Sequence, residues 1–447
     1  MIDIIALLQS LSPCLSKTTT RQLSVIIPAM LAMTGRVTML GISRWTEKGG
    51  SYRTVQRFFS TVIPWATVFW LFFQQYLLDA KATYILAGDE SIVTKAGKKS
   101  YGLDHFFSSL YGKPVPGLAF FALSLIHVAE RRSSPVMVEQ RVRSAEEKAA
   151  AKAKKEAQKK PKQGKPGRPK GSKNQDKTQV TLTPELRQIQ RMVQKLLTLV
   201  SGVIRIEHIV MDGKFGNNNA LQMVRQCGLH LTSKLRGDSA LYFRYDGLYA
   251  GHGAPQKYGD RIDYAHIPDK YRQESRTEKE IQTDIYQMEM LHKEFASSLN
   301  VVILVKTNLK TGAWGHVILF SSDLALDYAR LIEFYSLRFQ IEFNFRDAKQ
   351  YWGLEDFMNI QETAITNAAN LSLFMVNVSQ LLLRDFRQED SSVNVLDLKA
   401  HYRGCKYVAE TLKWLSQKPE PFFMAHIMNN VSRLGRIHTH HPASIPS

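Results

Sequence analysis

The chain has 447 residues, more than one hydrophobic core normally serves, so a main domain with accessory regions is the expected plan. A hydrophobic content of 44% and an aromatic content of 10% exclude a disordered or fibrous chain, while a formal net charge of +19 implies a polyanionic partner, nucleic acid before a membrane surface. Three scattered cysteines, Cys14, Cys227 and Cys405, exclude a disulfide framework or a zinc knuckle and suit a reducing cytoplasm.

Residues 1–80 carry helical periodicity. Asp3 stands where a secretory leader needs positive charge, so a cytoplasmic location is expected. A break at residues 47–50 is followed by Ser51, a good N-cap, and by a helix on which Tyr52 with Gln56 and Arg53 with Arg57 sit four apart. This polar strip suits a DNA groove or, equally, a solvated amphipathic face. The apolar run from Val62 to Leu78 is interrupted by Pro64, Gln74 and Gln75, and reads as a buried helix rather than a membrane span.

From Thr83 the texture becomes β-like. TYILAG ends at Asp89, and GLAFFALSLIH and SPVMVEQRVR follow as an antiparallel meander. Lys95, Lys98 and Lys99 mark a hairpin tip open either to DNA or to solvent. Residues 145–180 form a basic low-complexity linker, in which the stretch from Lys148 to Lys177 sets twelve lysines and arginines against only Glu156 and Asp176. Within it Gly167, Arg168 and Pro169 resemble an AT-hook, against the plainer reading of general phosphate attraction.

A helix capped by Thr183 comes next, then the strand IEHIVM closed by Asp212, a helix from about Asn217 to Gln226, and the strand LHLTSKL. Residues 238–322 are β-rich. One long helix is predicted from Ala325 to Lys349, and the remaining chain is mostly helical. Trp314 and Trp352 are read as packing residues rather than base-stacking ones.

Moving a phosphodiester bond requires charge neutralisation and an activated oxygen nucleophile, which carboxylate-held divalent cations provide. Asp89 and Asp212 both close apolar strands, although alone each is as readily a turn former. On the long helix Tyr335, Arg338, Glu342 and Lys349 have offsets of 0, 3, 7 and 14, which places them within an arc of roughly 60°. An acid, two bases and a tyrosine thus share one face, where a solvated Arg338–Glu342 pair is the plainer alternative.

That spacing, Tyr335, two residues, Arg338, three residues, Glu342, six residues, Lys349, resembles the YREK signature of DDE insertion-sequence transposases of the IS-four type. The acids Asp89 and Asp212, the latter within VMDGKFGN, look like that family's first and second acids, and residues 238–322 resemble its β-rich insertion. The resemblance implies that Asp89, Asp212 and Glu342 bind two Mg²⁺ or Mn²⁺ ions per active site. It also implies that Tyr335, Arg338 and Lys349 hold phosphates at the transposon end. Two departures stand out: Glu90 and Ser91 follow Asp89, so Glu90 is a candidate to share its role, and Gly213, Lys214 and Phe215 follow Asp212 in place of an aromatic pair.

The expected protein is an α/β transposase with an RNase H-like mixed sheet flanked by helices, a β-rich insertion and helical N- and C-terminal regions. Its expected parts are a helical DNA-binding domain at 1–80 using Arg53 and Arg57, and the basic linker at 145–180 containing Arg168. Catalytic segments are expected at 81–144, 181–237 and 323–385, the insertion at 238–322, and a helical region with a tail at 386–447. The expected partners are transposon-end and target DNA, with a homodimer on DNA and no membrane. The alternative is a non-catalytic DNA-binding protein derived from a transposase, which would need no intact trio.

Overall fold

The computed structural model describes residues 3–438 apart from 48, 109–110, 150–152, 154–155, 157–175, 250, 252–254 and 418. Arg168 and the AT-hook-like segment lie outside the described residues.

Five helices open the chain: α1 Ile4–Gln9, α2 Lys17–Ala32, α3 Met39–Trp45, α4 Tyr52–Phe59 and α5 Trp65–Phe72. Each of the first four begins on a side-chain cap (Asp3, Ser16, Thr38 and Ser51), which accepts from a backbone N–H of the first turn. On α4 the expected strip is present, with Val55, Phe58 and Phe59 buried and Tyr52, Arg53, Gln56 and Arg57 exposed. The apolar run after Val62 becomes α5 and a π-helical turn at Phe73–Leu77. Both are largely buried, and no helix among the described residues is long and apolar enough to cross a membrane.

The centre, among the described residues, is a sheet of twelve strands. Strands β1 (Tyr84–Thr94), β3 (Lys113–His127) and β4 (Arg132–Arg141) form an antiparallel meander, and β2 (Asp104–Ser108) flanks β3. The short strands β5 (His208–Met211) and β6 (His230–Leu235) run parallel to β1. The order β4-β3-β1-β5-β6, three antiparallel strands and then two parallel, is the RNase H-like arrangement expected of the α/β core. Parallel pairing requires a crossover, supplied before β5 by α6 (Pro184–Val200) and between β5 and β6 by α7 (Asn218–Gln226).

The β-rich stretch supplies β7 (Leu241–Arg244), β8 (Tyr258–Arg261), β9 (Arg272–Glu278), β10 (Ile281–His292), β11 (Leu299–Asn308) and β12 (Trp314–Ser321). Its strands are continuous with the core, because β12 pairs with β6 from Ile318↔Leu235 to Ser321↔Thr232. The polar strand β9 had no sequence signal: RQESRTE lacks an apolar face and survives as an exposed edge strand.

Two expectations are corrected. Asp89 does not end its strand; Glu90–Thr94 continue to pair with Gly117–Phe121, since Ile92 and Val93 keep a β-type pattern. The predicted helix over 325–349 is two helices, α8 (Tyr328–Leu337) and α9 (Gln340–Tyr351). Neither proline nor glycine marks the break. The path tightens instead into bonds three residues apart, Phe339 N–H to Ser336 O at 3.2 Å and Ile341 N–H to Arg338 O at 3.1 Å.

Helices α10 (Glu362–Glu389), α11 (Val395–Leu412) and α12 (Pro421–Val431) complete the chain. Phe374 on α10 packs against Trp65, Phe69 and Phe72, and Asn367 accepts from Trp65 Nε1 at 2.8 Å while donating to Thr61 O at 2.7 Å. The N-terminal helices are thereby anchored to the core. Trp352 is fully buried beneath Lys399, a packing residue as read, whereas Trp314 is half-exposed and stacks on His316.

The C-terminal tail returns to α11. Asp397 accepts from His438 Nδ1 at 2.9 Å, and His401 Nδ1 accepts from Arg436 Nη2 at 2.8 Å with the rings of Phe386 and Tyr402 edge-on. Burial, and then the nearby Arg436, lower the His401 pKa to about 4. A histidine depressed below its unfolded value stabilises the fold fully above about pH 6.5, and that contribution is lost as pH falls toward 4, by up to about 3 kcal/mol. Asp397, whose pKa is lowered by its bonds to His438 and to backbone N–H groups in spite of burial, adds a loss of the same sign at still lower pH. Urea unfolding between pH 7 and 4 should therefore show a flatter dependence for His401→Gln than for the parent. Parallel curves would remove His401 from the account.

Candidate active site

The parallel pairing of β1 with β5 stops at Gly88↔Met211, so Asp89 and Asp212 are the next residues on two adjacent strands. They reach the same edge for different reasons. Strand β5 ends, and Asp212 caps the turn Gly213–Phe215 by accepting from Lys214 N–H at 3.2 Å, while its carbonyl accepts from Ser233 Oγ at 2.8 Å. Asp89 lies inside β1, yet beside it the neighbouring strand has finished, which opens that flank to a cleft. Gly216 allows the turn to press against the Lys234 carbonyl, where a Cβ would collide.

Both aspartates line a cleft of about 720 Å³ together with Glu90, Lys214, Lys349 and Arg143. Glu342, in the first turn of α9, is joined to Asp89 through Arg338. Nη1 of Arg338 reaches Asp89 Oδ2 at 3.3 Å, and Nη2 reaches Glu342 Oε1 at 3.0 Å. This guanidinium is only 13% exposed and Asp89 17%, so the contact is more than a screened surface pair. Burial pushes the Asp89 pKa up to about 6, against the lowering effects of the Glu90 N–H and Arg338, and the Asp212 and Glu342 charges raise it further. Among the lining residues the carboxylates outnumber the bases by five to four.

Tyr335 is half-buried, its ring 5.8 Å from the Arg338 guanidinium, and burial raises its phenol pKa. Lys349 donates to Ile92 O at 2.9 Å and pairs with Glu355 at 3.3 Å. The interrupted helix thus still brings Tyr335, Arg338, Glu342 and Lys349 to the two aspartates. Arg53 and Arg57 stay apart on α4, outside the cleft lining.

Hard oxygen donors such as Asp89, Asp212 and Glu342 suit a hard divalent cation, and the excess negative charge is what such a cation would neutralise. No ready-made group of three histidines, cysteines or acids is drawn together among the described residues. Arg338, standing between Asp89 and Glu342, accounts for the separation of those two.

Several cleft residues escaped the sequence reading. Lys214 pairs with Glu90 at 3.1 Å and with Glu185, in the first turn of α6, at 2.7 Å. Burial alone would lower its pKa, yet the two carboxylates hold it above the ordinary value. The signal was a lysine two residues after a strand-ending acid. Arg141, Arg143, Phe107 and Tyr111 also line the cleft, with no pattern in the sequence to announce them. Lys95 was placed at a hairpin tip and is instead an anchor, donating to Phe357 O at 2.7 Å and lying over the Phe357 ring. Its half-buried position lowers its pKa to about 8, chiefly by desolvation.

No curated protein matches the chain. A family model described as DDE superfamily endonuclease matches residues 10–293, more than half of the sequence and a range that includes Asp89 and Asp212. Glu342 falls beyond that range and is joined to the aspartates by geometry alone. With the RNase H-like sheet and paired aspartates in hand, that match establishes that the chain belongs to the DDE superfamily endonucleases.

Proposed function

We propose that the protein is a DNA transposase of the IS-four type, which binds the ends of its insertion sequence, cuts there, and joins the freed 3′-hydroxyls to target DNA. The observation that carries this reading is Arg338 tying Asp89 to Glu342 beside Asp212. A plain nuclease would not need the spaced Tyr335, Arg338 and Lys349 on the same helical path.

Asp89, Asp212 and Glu342 would hold two Mg²⁺ or Mn²⁺ ions, which supply charge neutralisation at the reacting phosphate and acidify the attacking hydroxyl. In cleavage the water oxygen bonds to phosphorus as the P–O3′ bond breaks, and the departing 3′ oxygen takes a proton. In joining, that 3′-hydroxyl loses its proton and its oxygen bonds to a target phosphorus as the target P–O3′ bond breaks, the departing target 3′ oxygen taking a proton. Arg338 and Lys349 orient phosphate oxygens by charge-assisted bonds, and Tyr335 does so by its hydroxyl. Glu90 serves Lys214 rather than the reacting centre. Arg53 and Arg57 on α4 contact the end DNA, and Arg168 in the basic linker adds phosphate attraction. Assembly is as a homodimer on DNA through α12, where Phe422 and Phe423 are exposed and Trp414, just before it, is 87% exposed. A cytoplasmic location accompanies this reading.

The test is incubation with DNA carrying the element's ends and Mg²⁺. Products should include molecules joined at 3′-hydroxyls, formed by a complex whose mass corresponds to two chains. Nicks alone, however long the incubation, would reduce the activity to that of a nuclease, and a single-chain active complex would remove the dimer.

A further inference from the structure

Helix α9 has a second populated side. Behind it a separate cleft of about 540 Å³ opens between the β3–β4 turn, α9, the later part of α10 and the start of α11. Gln340, Phe343, Asn344, Arg346, Asp347 and Tyr351 contribute the α9 wall. At about 100° per residue Gln340, Asn344, Asp347 and Tyr351 lie roughly 140–200° around the helix from Glu342, while Phe343 at about 100° and Arg346 at about 40° form its edge. One helix therefore divides a carboxylate cleft from this one.

The rear cleft is built around arginine. Arg131, Arg132, Arg346, Arg384 and Arg387 line it against Glu130 and Asp347 only. Both acids are taken, Glu130 by Arg132 at 2.8 Å and Asp347 by Arg346 at 3.0 Å. Among the described residues no carboxylate lies within ion-pair distance of the other three, whose bonds go to neutral oxygens. Arg131 donates to Ser336 Oγ at 3.4 Å, Arg384 to Tyr76 O at 3.3 Å and Arg387 to Val393 O at 2.9 Å. Arg131 also sits at the β3–β4 turn with φ of +52°, a left-handed conformation that glycine or asparagine adopts at less cost. Its guanidinium is thus displayed at the cleft rim at a conformational cost. Neutral amides such as Gln380 and Asn394 share the lining with apolar Phe343, Leu383 and Val395.

Several guanidinium groups without carboxylate partners, contributed to one open cleft by the β3–β4 turn and α10, suit the several charges of a phosphodiester backbone better than a single small anion. We propose that this rear cleft binds the sugar–phosphate backbone of duplex DNA, so that α9 lies between two DNA contacts, one at Glu342 and one at the arginines. This rests on the reading of the chain as a DNA-processing enzyme. Because the contact is to phosphate, it carries affinity and orientation without base specificity.

The test uses the full chain, a labelled 40-bp duplex of mixed sequence and no divalent metal, with binding followed by fluorescence anisotropy across a series of salt concentrations. Each phosphate contact adds about 0.9 to the slope of log affinity against log salt. The triple variant Arg131→Gln, Arg384→Gln, Arg387→Gln should lose roughly 2 to 3 units of slope and about 10- to 100-fold in affinity near 0.1 M salt. The corresponding lysine triple should restore the slope. An unchanged slope in a glutamine triple with the parent's melting temperature overturns the proposal, as does a loss that lysine does not repair. The outcome is separable from the catalytic reading, since the slope is measured without metal, whereas undiminished cleavage by Glu342→Gln would strike the active-site assignment and leave the slope standing.

Discussion

Glu342→Gln is expected to lower metal-dependent DNA cleavage by roughly 10³-fold or more while leaving affinity for the DNA ends within about twofold. The substitution keeps side-chain volume and retains an oxygen that can accept from Arg338 Nη2, now at 3.0 Å from Oε1. It removes one negative charge and one hard donor from the proposed trio. The fold has little reason to respond, because Glu342 is partly exposed, at 40%, and packs no core surface. Single-turnover cleavage and gel-shift binding on the same preparation separate the two effects. Cleavage at the parental rate would show that the third acid lies elsewhere, a consequential result because the family match ends at residue 293.

How much of this site could be read before the fold was seen follows from the length scale of each signal. Asp212 was legible because the apolar run IEHIVM stops abruptly at Asp-Gly, a local event. The set Tyr335, Arg338, Glu342 and Lys349 was legible because helical geometry converts spacing into a shared face. Asp89 was found for a partly mistaken reason. Its strand continues to Thr94, and what exposes the carboxylate is the early end of β5, a fact held by a segment more than a hundred residues away. The break at Arg338 and Phe339 carries no proline or glycine, so local chemistry gave no warning. Lys214, Glu185 and Arg143 enter the cleft from different segments, and only tertiary pairing identifies them. The rear arginines are the extreme case, since Arg131, Arg346 and Arg384 come together only when the β3–β4 turn, α9 and α10 pack.

The fold class was legible for a similar reason. Alternation of short apolar strands with capped helices after Thr183 requires parallel crossovers, and the three runs before the basic linker require a meander. Joining them gives the order β4-β3-β1-β5-β6. The continuity of the later strands with that sheet was not legible, because β12 and β6 pair across more than eighty intervening residues with no register marker in either.

Arg338→Gln should produce two effects of opposite sign. Without metal, Asp89 loses its partner in a site where its side chain is 17% exposed, and Glu342 loses its i,i+4 partner. Breaking a fully buried pair costs roughly 3–5 kcal/mol; partial exposure of Glu342 lowers the expected loss to about 2 kcal/mol, a few degrees in melting temperature. Cleavage should fall by on the order of 10²-fold through the missing phosphate contact. Added Mg²⁺ should nevertheless raise the variant's melting temperature more than the parent's. In the parent a cation must displace a guanidinium already bonded to two of the three acids, whereas in the variant those acids have no competing cation, and tighter binding to the folded state appears directly as added stability. Equal Mg²⁺-induced shifts in parent and variant would mean that Arg338 does not compete for the carboxylates. A larger shift in the variant would give Arg338 a second role, holding Asp89 and Glu342 neutralised until a DNA phosphate draws the guanidinium away and frees both acids together.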